Sequence, residues 1–225
     1  AQVEFDRNLK TAEGACETKD FEKIDKAMGN YPELKEHVFV AARGSLLKDI
    51  KEASSAEEAS AAWDAFAEAS DRLSWDEEVV NKGKNAYVAK RFSLIDKARG
   101  GDDEDDKKSG SSDAEKMADD WAKDFKDMDS RLFSKQVNKD KFAAIYGNLA
   151  ADAANSPMKN ARSISKAVAA VEKNYNKAKK YSNSADKTRV EGALSKINAQ
   201  AFMACIKVDP TNMVACESKY REKVG

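Results

Sequence analysis

The chain has 225 residues, of which 41% are hydrophobic and 35% are charged, with 3 prolines and 10 glycines. So few turn-forming residues, and almost no strand-type alternation, favour long helices over many short strands. No apolar run reaches the roughly 18 residues of a transmembrane helix, and no apolar signal-peptide core is present. The sequence therefore predicts an all-α fold: antiparallel helical bundles, with eight or nine helices in two halves.

The first predicted half, residues 1–98, has apolar residues at helical spacing. Two capping-box patterns, Ser55 with Glu58 and Ser74 with Glu77, occur where an apolar stripe restarts. In such a box the hydroxyl and the carboxylate satisfy two N–H groups that the first turn leaves unpaired. Helices are therefore predicted to begin near both serines. The stripe before them consists of Leu34, Val38, Ala42, Leu46, Ile50 and Ala53.

The middle of the chain, residues 99–112, contains nothing that a core would bury. Its acidic run repels itself and its Gly and Ser residues are flexible, so a linker or long surface loop is predicted. Calcium binding is the alternative for this run, but the alternating ligands, central Gly and twelfth-position Glu of an EF-hand loop are missing. We expect no metal here. The run consists of Asp102, Asp103, Glu104, Asp105 and Asp106.

The second predicted half, residues 113–225, starts with a third capping box, Ser112 with Glu115. Further on, Ser156 and Pro157 predict the start of a long helix, and a second long helix follows it. Each has one apolar face, so the two are expected to fold back on each other and to need further partners. The faces are Ala161, Ile164, Val168, Val171, Tyr175 and Ala178, and then Val190, Leu194, Ile197, Ala201 and Ala204.

Two of the three cysteines flank a predicted helix corner at Asp209 and Pro210. Cys205 precedes the corner and Cys216 follows it, each within roughly 6–9 Å of helix, which is close enough for a disulfide between antiparallel helices. Such a bridge would contribute about 2–3 kcal/mol. Two buried free thiols are the alternative. Cys16 is left over, and it is either free or part of a different pairing.

Residues suited to catalysis are scarce. His37 is the only histidine, and with Glu33 one turn earlier it makes two ligands, which is not a metal site. Gly-x-Ser-x-Gly, phosphate-binding Gly-rich loops and Cys-x-x-Cys are all absent. We therefore predict no catalytic residues, no metal, no cofactor and no enzymatic activity. Trp63, Trp75 and Trp121 are interpreted as core residues, and binding of a pigment or lipid stays open.

The strongest binding signal is a basic face on the first long helix. Residues 157–225 contain 14 Lys or Arg against 6 Asp or Glu, a net charge of +8 in a chain whose net charge is -1. A solvated helix face would explain this charge, and nucleic acid is disfavoured by the pI of 6.1 and the scarcity of arginine. We predict instead that the face docks on an acidic protein. It consists of Lys166, Lys173, Lys177 and Lys180.

One stretch, residues 38–98, resembles the PsbQ-type extrinsic subunits of photosystem II. The matching positions are Ala42, Arg43, Leu46, Leu47, Asp49, Phe66, Leu73, a tryptophan near the turn, Tyr87 and Leu94. That family consists of helical bundles on the lumenal side of the thylakoid membrane. The resemblance implies a non-catalytic subunit that docks on a membrane complex from the lumen, and it transfers no individual binding residue. Residues 99–112 and 157–225 have no counterpart in the family.

Together these features predict a non-enzymatic docking subunit of a larger protein complex, which is membrane-embedded if the photosystem resemblance holds. The alternative is a secreted or surface helical-bundle receptor or coat protein. Both predict an extracytoplasmic location, in the thylakoid lumen or at the cell surface. The first residue, Ala1, is expected to mark a processed N-terminus, and a trimmed chain would look the same. The absence of an Asn-x-Ser/Thr sequon counts mildly against a glycosylated surface protein.

Overall fold

The computed structural model describes residues 2–18, 20–30, 32–100, 106–157, 159–181 and 184–220. Over these ranges the chain forms eleven α-helices and two short 3-10 turns, and no strand. The all-α prediction is confirmed. The predicted count of eight or nine helices is not confirmed, because segments as short as four residues form helices of their own. None of the described helices has a stretch long and apolar enough to cross a membrane.

Residue contacts divide the chain into two compact units, residues 1–94 and 95–225. The division falls inside a helix rather than in the predicted linker. The first unit contains α1 (Gln2–Thr18), α2 (Phe21–Asn30), a 3-10 turn (Pro32–Leu34), α3 (Lys35–Glu52), α4 (Ala56–Arg72) and most of α5 (Glu77–Arg99).

The core of the first unit is built from one face of each helix. On α3 the predicted stripe is buried as expected, with Val38, Leu46 and Ile50 at most 1% exposed. On α4, Phe66 is fully buried and lies against Gly83 of α5. Trp63 stacks on Tyr87 of α5 with ring centroids 5.5 Å apart. These aromatic contacts join α4 to α5 and place large apolar area out of water.

The two capping boxes of this unit have different outcomes. Ser55 does cap α4, since its Oγ accepts the backbone N–H of Glu58 at 3.1 Å. Ser74 does not cap α5, which begins two residues later than predicted, with the Asp76 carboxylate accepting the N–H of Val79 at 2.9 Å. Ser74 follows the end of α4 at Arg72 and has a φ of 51°, the left-handed conformation that commonly terminates a helix. The N-cap of α5 is therefore Asp76, two residues after the predicted Ser74.

The second unit contains the end of α5, α6 (Asp106–Met128), α7 (Ser130–Phe133), α8 (Gln136–Ala154), α9 (Ala161–Tyr181), α10 (Ser184–Val208), a 3-10 turn (Pro210–Asn212) and α11 (Met213–Tyr220). Residues 106–112, part of the predicted linker, are therefore helical. Ser112 lies within α6 rather than at its start, since helical carbonyls already satisfy the N–H groups that a cap would serve. Residues 102–105 of the acidic run lie outside the described ranges.

The core of the second unit holds a connected set of aromatic rings. Trp121 of α6 is fully buried and stacks on Phe125 at 4.8 Å between ring centroids. Phe142 and Tyr146 of α8 both stack on Tyr181 of α9, at 5.2 and 6.0 Å. Phe133 of α7 connects the two groups, since its ring centroid lies 5.7 Å from those of Phe125 and Phe142, and the rings therefore join α6 to α8 and α9.

Helices α9 and α10 run in opposite directions. Tyr175 on α9 donates a hydrogen bond from its hydroxyl to Glu191 of α10, at 3.2 Å. Nearer the start of α9, Ile164 packs with Ala201, which lies further along α10. Contacts in this reversed order confirm that the two long helices fold back on each other.

Candidate partner-binding surface

Helix α9 contains the predicted docking residues and is strongly amphipathic. It begins at an Asn160 cap rather than at Ser156, because the Asn160 carboxamide oxygen accepts the N–H of Ser163 at 2.8 Å and the Ser163 hydroxyl accepts the N–H of Asn160 at 3.0 Å. The buried face consists of Ile164, Ala167, Val168, Val171, Asn174 and Ala178. This face packs on α8 and α10, so the opposite face is left to solvent.

The four predicted docking lysines occupy different environments. Lys166 and Lys180 are exposed. Lys173 is 59% exposed and forms an ion pair with Glu115 of α6 at 2.8 Å. Lys177 is only 20% exposed and pairs with both Glu115 and Asp119. The structure therefore uses Lys177 inside the unit, and the outward face of α9 is formed by the other three lysines.

A fourth outward cation, Arg162, was not part of the sequence prediction. It is exposed, and together with the three lysines it gives spacings of 4, 7 and 7 along α9. These intervals place all four side chains in one row, which spans about 27 Å of helix. Its position 4, 11 and 18 residues before the three lysines, which is about one, three and five helical turns, was the signal that could have identified it. We name this row the cationic stripe: Arg162, Lys166, Lys173 and Lys180.

The cationic stripe is poorly neutralised by its own chain. In the part of the chain that the structure describes, no carboxylate forms an ion pair with Arg162, Lys166 or Lys180. Glu172, the one acidic residue in the sequence of α9, is partly buried at the edge of the outward face. The stripe is thus a linear array of positive charge suited to an acidic surface.

Beside the stripe, a partly buried polar cluster joins α6, α8 and α9. The Lys177 ammonium group lies 2.7 Å from Oε1 of Glu115 and 2.5 Å from Oδ2 of Asp119. The Tyr146 hydroxyl donates to Oδ1 of Asp119 at 2.7 Å. Lys177 also lies over the Tyr146 ring, 5.3 Å from its centroid. All polar groups of the cluster are paired with one another, which indicates a structural role.

The ion pairs of this cluster favour the charged forms of Glu115 and Lys177. Burial alone would raise the pKa of Glu115, but its hydrogen bonds to Lys173 and Lys177 outweigh burial and hold that pKa below its ordinary value. Burial alone would lower the pKa of Lys177. The hydrogen bonds of Lys177 to Asp119 and Glu115 outweigh burial, so its pKa is raised. The pKa of Tyr146 is raised, chiefly by burial and then by its bond to Asp119.

The predicted cysteine pair lies at the corner between α10 and α11. The Sγ atoms of Cys205 and Cys216 are 2.00 Å apart, at disulfide distance, and their Cα atoms are 5.8 Å apart. Cys216 is buried, and four residues later Tyr220 inserts beside Ile164 and Val168 of α9. The pair therefore ties α11 to the helix hairpin that carries the cationic stripe. The side chain of Cys16 lies outside the described part of the structure.

Other sequence candidates give no reactive arrangement. His37 and Glu33 are both exposed on the first unit. Among the described residues, no group of three or more His, Cys, Asp or Glu side chains is placed to hold a metal ion. A shallow groove of about 600 Å³ in the first unit contains Arg72, which pairs with Asp25 and Glu68.

Fold and surface together define a helical protein with an outward cationic helix face. Comparison with models of known protein families, with curated proteins and with solved structures finds no match for this chain. Its function is accordingly inferred from the described surfaces themselves.

Proposed function

We propose that this protein is a non-enzymatic docking subunit that binds an acidic surface of a larger protein complex through the cationic stripe. The observation that carries the proposal is the row of four cations on the outward face of α9, of which only Lys173 forms an ion pair within the described part of the chain. Ion pairs on the neighbouring flank support the proposal, since Lys177 of the same helix binds two carboxylates of α6. The helices of each unit are proposed to form antiparallel bundles that present this face rigidly.

The compartment we propose is extracytoplasmic. A cysteine pair at disulfide distance supports this, because disulfides persist mainly in oxidising compartments. The PsbQ resemblance of residues 38–98 makes a photosystem on the lumenal side of a thylakoid the first partner to examine. A secreted or surface receptor or coat protein is the second candidate, and the same cysteine pair favours it equally.

The proposal is tested by isolating the native assembly at low salt and identifying the proteins that accompany the chain. The test variant is Arg162→Gln/Lys166→Gln/Lys180→Gln, which removes exposed charge from the cationic stripe. The matched control, Lys135→Gln/Lys196→Gln/Lys207→Gln, removes the same charge from exposed positions elsewhere in the second unit. We expect the stripe variant to lose a partner that the control retains, with salt releasing it from the wild type.

Recovery of the same partner by both variants, independent of salt, would show that the stripe is not the docking surface. The two compartments are distinguished in the same experiment. A lumenal subunit co-purifies with thylakoid membranes and is released by high salt, whereas a surface receptor captures a soluble host ligand instead.

A further inference from the structure

The geometry of α9 points to a particular kind of partner: we infer that the cationic stripe binds an acidic α-helix lying along α9. This inference rests on the proposed function and adds the shape of the partner to it. The row consists of Arg162, Lys166, Lys173 and Lys180, at spacings of 4, 7 and 7. A heptad interval keeps side chains facing a neighbouring helix that crosses at a shallow angle.

A second feature of the same face allows a helix to approach closely. Ser165, Ala169 and Asn176 are exposed, and their spacings of 4 and 7 repeat those of the stripe. They form a row of short side chains between the cations and Glu172, which lies at the other edge of this face. A partner helix can therefore lie on this row at an interaxial distance of about 8–10 Å, with its carboxylates reaching the longer Lys and Arg side chains.

The chain itself contains an example of this recognition. On α6, Glu115 and Asp119 are one helical turn apart, and they meet Lys173 and Lys177, which are one turn apart on α9. Oε1 of Glu115 lies 2.8 Å from Lys173 and 2.7 Å from Lys177. The acidic helix α6 thus already binds Lys177 and one member of the cationic stripe, Lys173, and the other three cations of the stripe are left for a second helix. Each exposed pair there is weak, so the repeat over about 27 Å is what makes the contact specific.

The test uses two synthetic alanine-rich helical peptides of equal composition and net charge with the full-length protein. In the matched peptide the glutamates recur at spacings of 4 and 7 on one face, and in the scrambled peptide they are spread around the helix. Fluorescence anisotropy of labelled peptide at low salt measures both affinities. We expect the matched peptide to bind on the order of tenfold more tightly, because several weak exposed pairs then form together.

The two charge variants show whether the stripe is the site. Arg162→Gln/Lys166→Gln/Lys180→Gln should remove the preference for the matched peptide, and Lys135→Gln/Lys196→Gln/Lys207→Gln should retain it. Circular dichroism confirms that both variants stay helical, since every substituted side chain is exposed.

Other outcomes separate this inference from the proposed function. If the wild type binds both peptides with equal affinity and the stripe variant loses that binding, the inference of a helical partner is wrong. Docking by charge through the stripe would still hold. Binding of either peptide that the stripe variant does not weaken would overturn both. Capture by phosphatidylserine vesicles through the stripe, with neither peptide bound, would replace the acidic helix by a lipid surface.

Discussion

The ammonium group of Lys177 lies 2.5 Å from Oδ2 of Asp119, and this ion pair joins α9 to α6. Lys177 also pairs with Glu115, which is only 17% exposed. Lys177→Met should therefore lower the free energy of unfolding by about 1–3 kcal/mol, because two carboxylates lose a charged partner. Urea unfolding followed by circular dichroism measures the change.

The control for that prediction is Lys166→Met, which removes an exposed cation of the same helix and should change stability by less than about 0.5 kcal/mol. If Lys177→Met and Lys166→Met unfold at the same urea concentration, the ion pairs of Lys177 with Glu115 and Asp119 contribute nothing to stability.

Stability at low pH should depend on Glu115. The pKa of Glu115 is lower in the folded chain than its ordinary value of 4.5, so its contribution to stability is complete above that value. It is lost as the pH falls through the folded pKa, where the carboxylate becomes protonated. Glu115→Gln should therefore be less stable at neutral pH and lose less further stability on acidification, as measured by unfolding curves from neutral pH to pH about 2.

The comparison variant for the acid prediction is Asp120→Asn, an exposed carboxylate on the same helix. It should keep the wild-type dependence on pH. An acid dependence that is unchanged in Glu115→Gln would mean that other carboxylates account for the loss.

Packing between α4 and α5 requires a glycine at position 83. A Cβ atom built on Gly83 would overlap the ring of Phe66, which is fully buried in the core. Gly83→Ala should therefore destabilise the protein by about 1–3 kcal/mol. Gly44→Ala is the matched control, because nothing lies within 4 Å of its new Cβ.

Gly44 lies within α3, so the control should stabilise the helix by about 0.5–1 kcal/mol. Thermal unfolding measures both variants. Stabilisation by both alanines would contradict the close approach of Phe66 to α5.

Removal of the cysteine pair should release α11. An eight-residue helix is too short to persist alone in water, and α11 is held by Cys216 and by Tyr220 in the core. Cys205→Ala/Cys216→Ala should lower the free energy of unfolding by about 2–3 kcal/mol. Hydrogen exchange of residues 213–220 should accelerate more than that of α8. Uniform acceleration along the chain would show that the pair stabilises the whole unit rather than this helix.

Sequence patterns located the helices better than their ends. The buried stripe of α3 and the Ser55 cap of α4 could be predicted because both depend on local spacing. The starts of α5 and α9 could not, because Asp76 and Asn160 compete with nearby serines for the same role and tertiary packing decides between them.

The exposed cationic face of α9 was predicted in part for a similar reason. Helical spacing predicts a shared face for Lys166, Lys173 and Lys180, and all three side chains are exposed. It does not reveal that acidic residues of α6, more than fifty positions earlier in the chain, cover Lys177. Arg162 completes the row instead, and only the packing of α9 on its neighbours shows which flank stays open.

The three tryptophans are divided between the units, with Trp63 and Trp75 in the first and Trp121 in the second. Indole emission responds strongly to the surroundings of the ring, and all three rings have aromatic neighbours. Trp121→Phe would leave emission from the first unit alone, and Trp63→Phe/Trp75→Phe would leave emission from the second. The chain thus contains intrinsic optical reporters that show whether its two units melt at one temperature or at two.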